Sequence, residues 1–296
     1  MMMRILVIGA NGQLGAEFMR HQNSGFQIDG VGRAECDICD LQEVQQCLNR
    51  YDPDVVINCA AYTAVDAAEE NREVCFAVNH DGVLNLAKCC AERSIPLVHF
   101  STDYVFDGQK EGVWYEDDTP NPINCYGESK LAGEDAIRKV CNQYLIFRIS
   151  WVFGQYGPNF VKTMLRLAKT RSELNVVSDQ YGGPTATPCI VRAVLGSLAN
   201  SRSGERGLAW GTYHLPSEPF VSWAQFAEFI FAKAQELELL SVVPQVHSIP
   251  TSEYPTPAKR PLNSRLGSGE QEVSACDWQT ALGRLLPGII HSLEGE

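Results

Sequence analysis

Residues 101–108 read STDYVFDG at the end of an apolar run, and residues 126–130 read YGESK. Tyr126 and Lys130 stand four apart in a segment of helical character, so both project from one face, roughly 5–6 Å from each other. A free phenol, with a pKa of about 10, is a poor acid or base near neutrality. An adjacent ammonium favours the phenolate and makes the group usable for proton transfer. Thr102, at the end of a strand, adds a hydroxyl able to hydrogen-bond a carbonyl oxygen. Together the three suit reduction of a carbonyl beside a nicotinamide. A Tyr–Lys pair alone occurs often by chance, so the reading rests on the combination. Tyr104 and Phe106, in the same stretch, read as packing residues.

A dinucleotide site is legible at the start of the chain. GANGQLG places Gly9, Gly12 and Gly15 directly after a first β-rich run and at the start of a first helix. Glycine there permits a tight turn and close approach of the backbone to a pyrophosphate, while the helix N-terminus offers free N–H groups and the positive end of its dipole. The spacing is G-x-x-G-x-x-G, and its position, more than the triplet itself, raises it above an ordinary strand-to-helix turn. The second strand, FQIDGVGR, lacks the terminal acid that would bind a ribose 2'-hydroxyl, because Asp29 comes too early. Arg33 stands where a 2'-phosphate could be neutralised, which favours NADPH over NADH; the alternative is a solvated surface arginine. Asp37 could face the adenine or begin the turn before a helix that Asp40 caps.

These groups need a scaffold that brings strand ends together. RILVIGA, PDVVINCAA, PLVHFSTDYVF and YLIFRISWVF are continuous apolar runs, as expected of strands covered on both faces. GAEFMRHQN, LQEVQQCLNRY, a long stretch from Asp66 to Arg93, and SKLAGEDAIRKV alternate with them as helices. The expected fold is α/β: a Rossmann-like, doubly wound parallel sheet with a smaller, partly discontinuous α/β substrate domain. Residues 1–150 plus about 186–208 are expected to bind the dinucleotide, and about 151–185 plus 209–296 the substrate.

Of 296 residues, 45% are apolar and 20% charged, enough for one large or two modest domains. A net charge of -12 argues against nucleic acid or an anionic membrane as partner. The eleven cysteines are odd in number and scattered, and read as reduced thiols of a cytosolic protein. Cys36 and Cys39 form a C-x-x-C with no second pair for zinc. MMMRILVIGA is too short for a signal peptide, and no apolar run reaches the roughly 18 residues of a spanning helix. A cytoplasmic location is expected.

GANGQLG, INCAAYTAVDAAE, STDYVFDG, YGESKLAGE, FRISWVFG and PAKRPLNSRL, in this order up to about residue 266, resemble the dTDP-4-dehydrorhamnose reductases, a family of extended short-chain dehydrogenases/reductases. The resemblance implies a catalytic set of Thr102, Tyr126 and Lys130, the last two also touching the cofactor. It implies cofactor contacts at Gln13, Leu14, Asp37, Ile38, Ala61, Tyr62 and Thr63, beside Gly9, Asn11, Gly12 and Arg33. Substrate contacts fall on Asp103 and Trp151, together with Thr102 and Tyr126. The implied reaction is reduction of the C4 keto group of dTDP-4-dehydro-β-L-rhamnose to dTDP-L-rhamnose with NADPH or NADH.

At residue level, the Trp151 indole could be a platform for a sugar or could only pack. Arg260 could meet the nucleotide diphosphate or make a surface ion pair. Some members of the family are metal-linked dimers through acids on the first helix, after the G-P-T segment and on the last helix. Glu17 fits the first place, but GGPTATP has no acid after Thr185 and the last helix carries acids only in its tail. Mg2+ and that dimer are therefore not expected, and a monomer or homodimer is. The competing functions are an NDP-sugar epimerase of the same superfamily and a non-catalytic subunit resembling the regulatory β subunit of methionine adenosyltransferase.

Overall fold

The computed structural model describes residues 2–21, 25–203, 208–269, 273 and 275–294. Five strands, β1 (Met3–Ile8), β2 (Phe26–Val31), β3 (Val55–Asn58), β4 (Leu97–Thr102) and β5 (Tyr144–Ile149), are joined in one sheet by a sixth, Gly211–His214. Every pairing is parallel, in the order Gly211–His214, β5, β4, β3, β1, β2. Alternation persists inside the apolar runs. Ile5, Val7, Ile57, Val98 and Phe147 pack on one side with Ile190 and Val194, while Leu6, Ile8, Val56, Leu97 and Ile146 pack on the other with Val44, Val83 and Ile137. Burial on both faces is why no polar alternation shows in the sequence. The sixth strand carries the sheet past the boundary near residue 208 expected for the first domain. A four-residue run has too little pattern to announce its partner, and pairing with β5 decides it.

The helices are α1 (Gln13–Arg20), α2 (Leu41–Tyr51), α3 (Val65–Glu70), α4 (Arg72–Phe76), α5 (Val83–Glu92), α6 (Cys125–Val140), α7 (Phe160–Ala168), α8 (Thr187–Ser203), α9 (Trp223–Glu236) and α10 (Trp278–Glu294). Asp40 caps α2, accepting from the Gln42 and Glu43 amides. The helical stretch expected from Asp66 to Arg93 divides into α3, α4, a π-helical stretch Ala77–Gly82, and α5. α6 starts ahead of the expected SKLAGEDAIRKV because Asn124 caps it, its Oδ1 accepting from the Gly127 amide at 2.8 Å. That start places Tyr126 on the helix itself.

A second core gathers Phe153, Val161 and Leu165 with Phe226, Ile230, Trp278 and Leu286, beside the parallel pair Glu173–Val177 and Gln245–Ile249. Cys189 and Cys276 form a disulfide in this region, with Cα atoms 5.8 Å apart and a sequence separation of 87. The expectation that all eleven thiols are reduced is thus corrected for two of them. Residues that far apart in sequence offer no spacing to read, and the fold makes them neighbours. No helix among the described residues is long and apolar enough to cross a membrane.

β1 lies between β2 and β3, so the winding direction reverses there and a crevice opens at the carboxyl ends. Gly9, with φ +80°, sits so close to the end of β3 that a Cβ would come within 2.6 Å of the Ala60 nitrogen. A Cβ on Gly15 would overlap the Gly9 carbonyl oxygen. Gly→Ala inside a helix ordinarily stabilises by about 0.4–1 kcal/mol. At Gly15 the overlap reverses the sign, and Gly15→Ala is expected to lower calorimetric stability by about 1–3 kcal/mol.

Candidate active site

Above the switch point lie two hollows of about 690 and 450 Å³ that share Asn11, Gly12, Cys59, Ala60 and Ala61 and so form one trough. The smaller is lined by Gly9, Arg33, Asp37, Ile38 and Tyr62. The larger is lined by Gln13, Leu14, Thr63, Thr102, Asp103, Tyr126, Lys130 and Trp151. Residues read from six separate sequence segments thus meet in one place. Arg260 lines neither hollow. Its guanidinium is bidentate on Asp66, Nη1 to Oδ1 at 3.0 Å and Nη2 to Oδ2 at 2.7 Å, and it anchors the loop 256–260 to α3.

The trough fits a dinucleotide. Gly12 is the N-cap of α1, no side chain among the described residues caps that end, and its first turn holds no acid, which leaves the amide groups for an anion. At the end of β2, Glu35 turns back to accept from the Gly32 amide at 2.6 Å. The exposed Arg33 guanidinium lies 3.1 Å from Asp37. The Cys39 amide, and then Arg33, hold the Asp37 carboxyl below its usual value. Tyr62 is positioned by the buried Asn79, which accepts from its amide at 2.9 Å, donates to its carbonyl at 3.0 Å and donates to Ser129 Oγ at 2.9 Å. Sequence reading missed Asn79; its signal is a polar residue on the covered side of a helical run.

Tyr126 and Lys130 are one turn apart on α6. Lys130 is buried, its Nζ donating to the Phe100 carbonyl at 2.6 Å and lying 3.2 Å from His99 Nε2. Burial lowers its pKa to about 8, against the pull of Glu134 one turn further on. Burial, and then the charge of Asp103, raise the Tyr126 phenol above its ordinary value, with Thr102 opposing. The expected depression of the phenol by the lysine is not what the geometry holds, because the lysine Nζ is directed at the sheet backbone and at His99. Tyr104 stacks edge-on to Tyr126, with centroids 5.7 Å apart, and lines the cleft as well. Phe106 is core, stacked on Trp114.

Thr102 Oγ1 accepts from the Tyr104 amide and donates to Asp103 Oδ1, both at 3.1 Å. Asp103 Oδ2 is buried with no hydrogen-bond partner among the described residues, and burial pushes this carboxyl up to about 6, against Ser264 and Thr102. A buried acceptor left open at a cleft wall is a place for a ligand hydroxyl. Trp151, at φ +47°, stacks on Trp223 with centroids 3.5 Å apart and planes at 9°, and both line the cleft. Trp223 was not foreseen, since it opens a helix far along the chain. Glu17 is turned inward, accepting from Thr187 Oγ1 at 3.0 Å. No group of three or more His, Cys, Asp or Glu side chains that could hold a metal ion gathers among the described residues.

The sequence pattern of the RmlD substrate binding domain matches residues 3–289. The dTDP-4-dehydrorhamnose reductase of Sinorhizobium fredii is 40% identical over 298 residues, covering 99% of this chain and 99% of its own. That of Aggregatibacter actinomycetemcomitans is 41% identical over 287 residues, covering 95% and 97%. The crystal structure of the Bacillus anthracis dTDP-4-dehydrorhamnose reductase, in complex with NADP, superposes with a TM-score of 0.89 at 35% identity, over 97% of this chain and 99% of that one.

A carboxyl raised on folding binds its proton more tightly in the native state, so stability falls as pH rises from about 4 to about 6 and is level above that. Asp103→Asn keeps the shape and removes the charge. The variant is expected to match the wild type in thermal unfolding near the lower end of that window and to be more stable above its upper end. A difference independent of pH would contradict the burial penalty.

Proposed function

Because the chain belongs to the RmlD substrate binding domain family, we propose that it is an NADP-dependent oxidoreductase that reduces the C4 keto group of dTDP-4-dehydro-β-L-rhamnose to dTDP-L-rhamnose. The observation that carries this reading is the convergence of Thr102, Tyr126 and Lys130 on a trough that begins at an uncapped, glycine-lined helix N-terminus. Residues 1–150 with about 186–208 and the strand Gly211–His214 hold the cofactor, and the remainder completes the sugar side.

Bound NADPH supplies the hydride. The protein's part is to orient the ketone and deliver a proton. Tyr126, kept protonated by its surroundings, is in the state a reduction needs and donates to the C4 oxygen. Thr102 polarises the same oxygen, which requires its hydroxyl to turn from Asp103. The open oxygen of Asp103 accepts from a sugar hydroxyl, and Trp151 walls the ring. Lys130 holds the ribose of the cofactor and, when charged, stabilises the phenolate left after transfer. Arg33 takes the 2'-phosphate, so NADPH is preferred to NADH.

The test is incubation of the protein with NADPH and the 4-keto sugar nucleotide, with the product identified by NMR. Tyr126→Phe deletes one hydroxyl and is expected to lower kcat by about two or more powers of ten, with folding and NADPH affinity nearly intact. Wild-type turnover by that variant would remove Tyr126 as the acid. Arg33→Ala should weaken NADPH far more than NADH, and equal losses would take Arg33 out of the site.

A further inference from the structure

Behind Lys130 lies a buried chain of polar side chains that the proposed reaction does not use. Asn58, at the end of β3, and His99, in the middle of β4, are each only 1% exposed. Alternation along β4 turns Leu97 and His99 toward α6, where Ile137 and Lys130 meet them. The Ala60 amide donates to Asn58 Oδ1 at 3.0 Å. That contact orients the side-chain amide and leaves Nδ2 facing His99 Nδ1 at 3.1 Å. Nδ1 is therefore an acceptor, and the single proton of a neutral imidazole sits on Nε2. Nε2 in turn lies 3.2 Å from Lys130 Nζ.

An N–H directed at Lys130 needs a lone pair, which an amine has and an ammonium lacks. With the amine, every contact pairs a donor with an acceptor: Ala60 to Asn58, Asn58 to His99, His99 to Lys130, and Lys130 to the Phe100 carbonyl at 2.6 Å. With the ammonium, one buried donor must face another. Moving the imidazole proton to Nδ1 sets it against the Asn58 NH2, and flipping Asn58 to relieve this sets the NH2 against the Ala60 amide. A buried donor left facing a donor loses its hydrogen bond and is disfavoured. We infer that His99, oriented by Asn58, is a positioning residue that weakens the hold of Lys130 on its proton and so favours the neutral amine. The chain ends in backbone and not in solvent, so it sets a protonation state and does not conduct protons.

The other titratable groups around the lysine are Glu134 and Tyr126 on α6, Cys59 after β3 and Cys75 on α4. Glu134 favours the ammonium but is itself held by Arg148 and Arg138. His99 lies well below the ordinary imidazole value, first through burial and then through Lys130. Lys130 matters because the proposed reduction places it in the catalytic set. The test reads its titration and not turnover, so failure of the two is separable.

In wild-type protein labelled with ¹⁵N-histidine, NMR is expected to show His99 with Nε2 protonated and Nδ1 bare. In protein labelled with ¹³C at lysine Cε, the Lys130 midpoint should lie well below the ordinary value of about 10.4. His99→Gln offers an acceptor in place of the donor, and Asn58→Ala frees the ring to present a bare Nε2. Each should raise the Lys130 midpoint by about one pH unit or more. A merely structural histidine would lower activity at all pH values without moving that midpoint. The inference is overturned if wild-type His99 carries its proton on Nδ1, a result that needs no variant, or if the midpoint stays unshifted in either variant that folds.

Discussion

Tyr126, Lys130, Glu134 and Arg138 follow one another at four-residue intervals, so a single polar edge of α6 is pressed against a parallel sheet. Burying such an edge is tolerable only if each group finds a partner. Glu134 finds Arg148 of β5, Nε to Oε1 at 3.0 Å and Nη2 to Oε2 at 2.8 Å, with both side chains essentially out of solvent. Removing one partner of such a pair costs about 3–5 kcal/mol, because the other charge is left buried. Arg148 also lies over the Phe106 ring at 5.1 Å and 3.4 Å from His214 Nε2, which ties the pair to the last strand of the sheet. With Glu134 pinned, helix rise sets Lys130 and Tyr126 at steps of about 6 Å toward the sheet edge.

The electrostatics of the cleft follow from the same burial. Asp103 and Tyr126 are raised, and Lys130 and His99 lowered, so each is moved toward its uncharged form, with desolvation the largest cause in every case. Glu134 is the exception: burial works against its charge, but Arg148 and Arg138 outweigh it and keep the carboxyl below its usual value. A site poor in fixed charge screens weakly. A proton or a hydride moved within it is felt strongly by donors already in place.

The part around the central sheet and the part around the second core are joined at the start of α1. Gln13 Nε2 donates to the Val152 carbonyl at 3.3 Å, and Asn159 Nδ2 donates to Gln13 Oε1 at 3.1 Å. One turn on, Glu17 takes the Thr187 hydroxyl at the start of α8, and Cys189 on that helix is bonded to Cys276 before α10. The first helix is thereby held by the segment that follows Trp151 and, through α8, by the region before α10. This arrangement accounts for a trough walled by both parts of the molecule.

The fold class and most of the trough were legible because their signals are local. Continuous apolar runs mark a sheet covered on both faces, glycines mark a backbone that must come close, and a Tyr and a Lys four apart share a helix face by geometry alone. What stayed hidden depends on partners distant in the chain. Arg260 could have faced a diphosphate, but Asp66 holds it. Cys189 and Cys276 are paired by the packing of α8 against the α10 region. His99 reads in sequence as one polar residue inside an apolar strand; only the placement of Asn58 on one side and Lys130 on the other settles which of its nitrogens carries a proton. Sequence by itself determined which residue types reach the strand ends. Tertiary structure decided their charge and direction, because desolvation and hydrogen-bond pairing are properties of what surrounds a side chain and not of the side chain itself.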